Sequence, residues 1–355
     1  MSAQIIQFSS RRRAPANFNR ACAAVFRGQR KRRILHGTQK VNLRELSEIY
    51  LIDPLSDFHK NRYVTRQSYR ANLRRLNADI GDRDLKTLTI RDIKAAHALW
   101  SAGGKVSMGH GLVTMLRIVI GFGAGILEDE DCQRIRGSLS SVKFPNAKAR
   151  ENWMTAEQAA DIREQATLES FYSIALGQAF QFDCALRQKD VIGEWLPINE
   201  DPRPSTIILG TLKWVGGITA EEINDDLVLT HETSKRGKVL TFPLRSCPMV
   251  MEEIYHLPKS GPLVVDPDTG LPFRSWTYAR KWRECAVKRG VPRGVWNMDS
   301  RAGRITSVLA KGVPLEDARK LAGHSQSSTT SRYSRGTSEA IARALDAVNP
   351  EREAA

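Results

Sequence analysis

The sequence has few cysteines and no long uninterrupted run of apolar residues. Its five cysteines are scattered through 355 residues and include no Cys-x-x-Cys pair, so neither a disulfide framework nor a structural zinc site is indicated. The most apolar run, around residues 118–127, is interrupted by three glycines and is too short to cross a membrane. The N-terminal residues lack the apolar core of a secretion signal. We therefore expect a protein of the reducing cytoplasm that needs no metal or cofactor and inserts into no membrane.

Acidic residues are scarce relative to basic ones. The chain has 39 Asp and Glu against 54 Lys and Arg, a formal net charge of +15, and its first acidic residue is Glu45. Because counterion release from phosphates rewards clustered Lys and Arg, this surplus indicates a polyanionic partner. Double-stranded DNA is the leading candidate, which would place the bound protein on the nucleoid. An anionic membrane surface is the weaker alternative.

Residues 1–41 are basic and polar. They include four consecutive basic residues, Arg30, Lys31, Arg32 and Arg33. Such a stretch predicts either a solvated, disordered tail or an arm that becomes ordered when it binds phosphates, and the two interpretations are compatible.

Residues 42–130 carry the periodicity of α-helices and predict a compact all-helical domain. Apolar residues recur at helical spacing in two segments: Tyr69, Leu73, Leu76 and Ile80, then Leu112, Met115, Leu116, Val119 and Phe122. The first segment also carries Arg66, Arg70 and Arg74 at four-residue steps. A basic stripe of this kind is either a solvated helix face or a row of phosphate contacts, and the net charge favours the contacts.

A second domain is predicted over residues 153–336. Residues 131–152 are polar and basic and predict a linker, after which Thr155 and Gln158 have the spacing of a capping box and predict a helix start. A long helix is predicted to end near Ala185. Strands are predicted at Leu212 to Val215, at Leu227 to Thr230 and, with a turn, at Thr233 to Leu244.

Five residues of this second domain match the needs of breaking a DNA strand without a metal ion or ATP. Such a reaction needs fixed cations that neutralise the charge developing on the phosphate, a nucleophile that attacks in line, and an acid that protonates the leaving oxygen. Arginine grips two phosphate oxygens and stays charged. The sequence supplies suitable groups at Arg187, Lys235, Arg301, His324 and Tyr333.

Each of these residues also has an ordinary structural interpretation. Arg187 is compatible with a surface ion pair, Lys235 with a solvated hairpin tip, and His324 and Tyr333 with core packing. Taken one at a time, the motifs around them are weak to moderate signals. Their combination in one chain favours the chemical interpretation.

In the order Arg, Lys, Arg, His, Tyr, and in the spacing from Gly323-His324-Ser325 to Tyr333, the chain resembles the tyrosine recombinases, the phage integrase family. The resemblance covers about residues 42–345. It implies an all-α, SAM-like core-binding domain followed by a mixed α+β, mostly helical catalytic domain with a small antiparallel sheet. It also implies a homotetramer that acts on two DNA sites during integration or excision of a mobile element, with a possible accessory DNA-bending protein.

The resemblance also implies a role for each site residue. Arg187 and Arg301 would clamp the scissile phosphate, Lys235 would be the general acid toward the 5′ oxygen, His324 would donate a hydrogen bond to a non-bridging oxygen, and Tyr333 would form a 3′-phosphotyrosyl link. Asp190 matches the acidic position that supports the first Arg. The C-terminal tail, residues 337–355, resembles a helical segment that docks onto a neighbouring subunit.

One residue departs from the family pattern. Met298 stands where the family usually has a His, three residues before the second Arg, and a thioether can neither move a proton nor donate a hydrogen bond. The proton-transfer or hydrogen-bonding role of that His is then unfilled, or it is taken by a neighbour such as Asp299. We expect activity that is slowed but retained. The alternatives are DNA relaxation of the type IB topoisomerase kind and a sequence-specific DNA-binding protein that has lost catalysis.

Overall fold

The computed structural model describes residues 41–148 and 150–334, and the chain divides into two compact units, Met1–Ala149 and Arg150–Ala355. The second unit starts close to residue 153, where the second domain was predicted to begin. The basic cluster at residues 30–33 and the tail at 337–355 lie outside the described residues, so their predicted roles stay predictions.

The described residues of the first unit form five α-helices and two short 3₁₀ helices. The α-helices are α1 (Leu43–Ile52), α2 (Tyr63–Ile80), α3 (Ile90–Ser101), α4 (Val106–Gly125) and α5 (Glu130–Ser140). The two segments with apolar helical spacing lie in α2 and α4, and their most apolar residues pack into one core with Leu46 and Tyr50 of α1. The helical prediction is therefore confirmed for these segments. Helix α4 is long and apolar enough to cross a membrane by composition, and half of that stretch is buried within the protein.

The segment predicted as a linker begins with a helix, so that prediction was wrong for residues 131–140. Asp129 caps α5 by accepting a hydrogen bond from the Cys132 amide at 2.8 Å. Cys132, Ile135 and Leu139 lie at i, i+3 and i+7 and bury one face of the helix in the core. Helix α5 packs closely on α4 at Gly123. A Cβ atom at that position would collide with the Cys132 Sγ.

The second unit combines helices with three small antiparallel sheets. Its helices are α6 (Ala156–Leu168), α7 (Tyr172–Asp183), α8 (Gln188–Ile192), α9 (Pro248–Glu252), α10 (Ser275–Lys288), α11 (Asp299–Ala310), α12 (Leu315–Leu321) and α13 (Ser327–Thr330). Its strands are β1 (Glu194–Pro197), β2 (Ile208–Leu209), β3 (Leu212–Val215), β4 (Val228–Glu232), β5 (Val239–Pro243), β6 (Val265–Asp266) and β7 (Leu271–Pro272).

The sheets follow the sequence signals closely. Strands β1, β3 and β2 pair in that order, β4 and β5 form a hairpin with Leu229 opposite Phe242, and β6 pairs with β7. The predicted strands at residues 212–215 and 227–230 correspond to β3 and β4, and the predicted turn and strand at residues 233–244 correspond to the hairpin turn and β5. The predicted capping box of Thr155 and Gln158 opens α6.

Helix α7 is the centre of this unit, since every residue from Ile174 to Asp183 is buried. Its polar side chains hydrogen-bond to neighbouring parts of the unit. Gln178 accepts from the indole N–H of Trp282 at 2.7 Å, and Gln181 exchanges hydrogen bonds with Asn297 at 2.7 and 3.0 Å. A fully paired buried network costs little and restricts the packing to one arrangement. It fixes the start of α11, the helix that carries Arg301.

Candidate active site

A buried carboxylate joins Arg187 to the β4–β5 hairpin. After α7 the chain turns at Ala185, which has φ +49°, and Arg187 then caps α8. Asp190 Oδ2 accepts from the Arg187 amide at 3.3 Å and lies 3.7 Å from its Nη1. The other oxygen, Oδ1, accepts from the Ser234 amide at 2.7 Å. Asp190 has no exposed surface, so it sets the position of both Arg187 and the hairpin turn.

Lys235 lies in this turn between two anchored residues. Ser234 is held by Asp190, and the Arg236 guanidinium donates to the hydroxyl of Ser325, directly after His324. The Lys235 side chain is exposed, and within the described residues it makes no hydrogen bond or ion pair. A long side chain on a tethered turn can reach a ligand at the edge of the site while its base stays in place.

Arg301 is the most deeply buried cation of the site. Its Nη1 donates to the carbonyl of Ala185 at 2.7 Å, and its Nη2 donates to the carbonyl of Ala322. Only 8% of the residue is exposed. Burial, followed by the nearby charge of Arg187, lowers the pKa of Arg301 to about 10, so the guanidinium remains charged at neutral pH. One side chain thus joins the end of α7 to the end of α12.

The Gly-His step ends α12 in a Schellman motif. The amide of His324 donates to the Arg319 carbonyl at 3.0 Å, and that of Gly323 donates to the Lys320 carbonyl at 2.9 Å. Gly323 has φ +59°, a left-handed conformation that glycine adopts without steric cost. The cap turns the chain so that His324 points back into the protein.

His324 and Tyr333 form a stacked pair. Their ring centroids are 5.9 Å apart at an interplanar angle of 14°. His324 Nδ1 lies 2.9 Å from the Thr330 hydroxyl, and the Thr306 hydroxyl donates to the Tyr333 carbonyl at 3.3 Å. The imidazole and the phenol are therefore held side by side by contacts from α11 and α13.

His324 is neutral in this environment. Burial, and then the positive charges of Arg301 and Arg187, lower its pKa from 6.5 to about 4. Because protonation would add a charge to a buried cluster of cations, the ring keeps a single N–H at neutral pH. It can donate one hydrogen bond, and it is a poor general base.

This depressed pKa predicts an acid-labile second unit. As pH falls from 6.5 towards 4, the unfolded chain binds a proton at His324 that the folded chain does not bind, so stability present above pH 6.5 is lost. At about 1.4 kcal/mol for each pKa unit, the loss approaches about 3 kcal/mol. Urea unfolding at pH 7 and pH 4.5 should measure it.

The matched variant for this measurement is His324→Gln, which keeps a polar side chain near Thr330 but cannot titrate. Its free energy of unfolding should change less between the two pH values than that of the unmodified chain. Equal changes in both proteins would contradict the assignment of the pH dependence to His324.

Tyr333 opens onto a cavity of about 190 Å³. Its lining residues are Arg150, Asn152, Met298, Asp299, Arg301, Ala302 and Tyr333. Arg301 and Tyr333 thus border one space and interact electrostatically, and Met298, 56% exposed, forms part of the wall. Four of the five predicted residues thus cluster here: Arg187 and Arg301 influence one another electrostatically, and His324 stacks on Tyr333. Lys235 lies on the hairpin turn that is held to Asp190 and Ser325.

Arg150, which the sequence analysis did not single out, also lines the cavity. Its Nη2 lies 2.6 Å from Asp299 Oδ2, and the same carboxylate oxygen accepts from the Trp296 amide at 2.8 Å. Asp299, 4% exposed, is therefore occupied by structural partners. This arrangement does not favour the suggestion that Asp299 acts in place of the usual His.

The predicted basic stripe lies along one face of α2. Arg74 is exposed, whereas Arg66 and Arg70 are partly buried. The Arg70 guanidinium lies over the ring of Phe58 at 5.1 Å from its centroid. Half-burial restricts the rotamers of these side chains, which would lower the entropy cost of binding an anion. Their contact with DNA stays a prediction.

No family model and no curated protein matches the sequence. Solved structures do match. A lambda integrase dimer bound to a COC′ core site superposes with a TM-score of 0.63 at 15% identity, covering 82% of this chain and 94% of that one. A Tn1549 transposon integrase in complex with circular intermediate DNA gives 0.60 at 12% identity, covering 86% and 99%.

The chain has the tyrosine recombinase fold. A lambda integrase tetramer bound to a Holliday junction also matches, with a TM-score of 0.62 at 14% identity over 92% of this chain and 88% of that one. The resemblance drawn from five residues is confirmed at the level of the fold. The predicted catalytic domain, mostly helical with small antiparallel sheets, is confirmed as well.

Proposed function

We propose that this protein is a site-specific tyrosine recombinase, which cleaves and rejoins DNA strands through a 3′-phosphotyrosyl intermediate. The observation that carries the proposal is the cavity that Tyr333 and Arg301 both line, with His324 stacked on the Tyr333 ring. A phenol beside fixed, charged donors is suited to attack on a phosphodiester.

The cations of the site would bind the scissile phosphate. Arg301 keeps its charge although it is buried, and Arg187 is 34% exposed and so can reach a ligand. Donors fixed in place in this way stabilise the charge of the transition state without having to reorganise during the reaction. Neutral His324 would add one hydrogen bond to a non-bridging oxygen.

Strand cleavage then needs a nucleophile and an acid. The Tyr333 oxygen would attack phosphorus and release its proton to water in the cavity. The bond from phosphorus to the 5′ oxygen would break, and Lys235 would protonate that oxygen. Attack by a 5′ hydroxyl on the phosphotyrosine would reverse these steps and rejoin a strand.

DNA binding would rest mainly on phosphate contacts. Arg66, Arg70 and Arg74 of the first unit would supply some of them, so affinity should fall steeply as salt concentration rises. By analogy with the lambda integrase tetramer on a Holliday junction, we propose a homotetramer on two DNA sites. Integration or excision of a mobile element, with or without a DNA-bending protein, is the corresponding biological role in the cytoplasm.

Covalent capture on DNA tests the proposed chemistry. The purified protein is mixed with nicked duplexes tiled across the DNA that flanks its gene, denatured, and analysed for protein–DNA adducts. A recombinase should form an adduct at one site, joined to the 3′ phosphate of the cut strand. Absence of any adduct on DNA that the protein binds specifically would reject the enzymatic proposal.

The same purified protein also distinguishes the proposed recombinase from two alternatives. A type IB topoisomerase would relax a supercoiled plasmid that lacks the captured site, whereas a recombinase would leave it supercoiled. A DNA-binding protein without catalysis, the alternative favoured by Met298, would protect the site from nuclease without forming an adduct.

A further inference from the structure

Arg150 is held rigidly in the wall of the candidate active site. Its Nη2 donates to the Gly294 carbonyl at 2.8 Å and pairs with Asp299 at 2.6 Å. Its guanidinium carbon lies 3.8 Å from the centroid of the Trp296 ring. Three kinds of contact, a carbonyl, a carboxylate and an aromatic face, orient one side chain. A guanidinium oriented in advance loses little entropy when it binds a ligand.

The exposed partner of the Arg150–Asp299 pair is the cation. The Arg150 side chain is 32% exposed and that of Asp299 only 6%, so the cation is the more accessible member of the pair, and both residues line the cavity. Arg301 and Tyr333 line the same cavity. An anion placed there for attack by the phenol would therefore meet the Arg150 guanidinium as well.

Met298 forms the neighbouring part of this wall and offers no charge and no donor. A phosphate in the cavity would have nothing to bind at that position. Arg150 reaches the same wall from the start of the second unit, and its guanidinium carries N–H donors, so it can serve an oxygen that Met298 cannot.

We propose that Arg150 binds a non-bridging oxygen of the scissile phosphate and so provides the interaction that Met298 cannot. The proposal rests on the proposed function. The role is electrostatic, because an arginine does not release its proton near neutral pH. Asp299 and Trp296 act as positioning residues that aim the guanidinium.

The test compares Arg150→Gln with Arg280→Gln in single-turnover cleavage of the nicked DNA on which the unmodified protein forms its adduct. Arg280 is a matched control, because it also lies over a tryptophan, Trp276, at 5.7 Å and pairs with a carboxylate at 3.9 Å, but it does not line the cavity. Loss of one fixed donor to a transition-state oxyanion costs about 10²–10³-fold in rate. We expect that loss for Arg150→Gln and less than about a twofold change for Arg280→Gln, as for a surface substitution.

A second substrate separates phosphate binding from a structural role. In this DNA a neutral methylphosphonate replaces the scissile phosphate, so the charge that Arg150 would neutralise is absent. The loss caused by Arg150→Gln should shrink to less than about tenfold on it, since most of the electrostatic contribution is already gone. A side chain that only supports the loop at residues 294–299 would instead cause equal losses on both substrates.

The outcomes distinguish this proposal from the one on which it rests. If the unmodified protein forms no adduct, the proposed function fails. The assignment of Arg150 is overturned if the unmodified protein forms the adduct and Arg150→Gln cleaves at the unmodified rate. It is also overturned if the substitution lowers the cleavage rate by the same factor on both substrates. Should Arg150→Gln not fold, Arg150→Met, which removes the charge but keeps an unbranched side chain beside Trp296, is compared on the same two substrates and judged by the same difference.

Discussion

Substitution of Tyr333 by phenylalanine is expected to abolish covalent attachment to DNA while leaving DNA binding intact. The phenyl ring retains the stacking on His324, so the fold of the site should not change. The oxygen that would attack phosphorus is absent, and removal of a catalytic nucleophile typically costs on the order of 10⁶-fold in rate. Adducts on the nicked duplex should fall below detection, whereas the dissociation constant in a gel-shift titration should stay within about twofold of the original, as for a surface substitution.

Tyr255→Phe is the control for this substitution. Tyr255 is 93% exposed and lies in the same unit, and it does not line the cavity. Its variant should form adducts at the unmodified rate. An adduct that persists in Tyr333→Phe would show that another residue is the nucleophile, and peptide mapping of the captured DNA would identify it.

Substitution of Arg301 by methionine should remove both activity and stability. The guanidinium binds the carbonyls of Ala185 and Ala322, and each buried acceptor left without a partner costs about 1–3 kcal/mol. The free energy of unfolding of the second unit should therefore decrease by about 2–6 kcal/mol. Cleavage should slow by at least about 10²–10³-fold, the effect of losing a fixed donor to the phosphate. Urea unfolding and single-turnover cleavage measure the two effects separately.

Arg187→Met gives the contrasting result. Arg187 is partly exposed, and Asp190 keeps its hydrogen bonds from the amides of Arg187 and Ser234 when the side chain is removed. We expect the loss of cleavage without a comparable loss of stability. If both variants were equally unstable, or if Arg301→Met cleaved DNA normally, the division of roles between the two guanidinium groups would be wrong.

Local sequence signals predicted much of the fold. The strands β3 and β4, the capping box of Thr155 and Gln158, and the turn that carries Lys235 each depend on residues near one another in the chain. Helix α5 was missed because its polar surface resembles a linker. Its three apolar residues become meaningful only against the core that they contact.

The candidate site was predicted less completely. The types and order of Arg187, Lys235, Arg301, His324 and Tyr333 led to the family resemblance, and the observed proximity of four of them agrees with it. Arg150 had no comparable signal. Its partner Asp299 lies 149 positions along the chain, a separation that no local periodicity reveals.

The amino-acid sequence by itself determined the excess of positive charge, the caps and turns, and the chemical types of the proposed catalytic groups. These properties depend on composition and on short-range backbone preferences. Only the tertiary structure decided the neutral state of His324, the carbonyl contacts of Arg301, and the pairing of Arg150 with Asp299 beside Met298. Desolvation and charge–charge interactions depend on which distant residues exclude water and which lie within a few ångströms, and folding sets both.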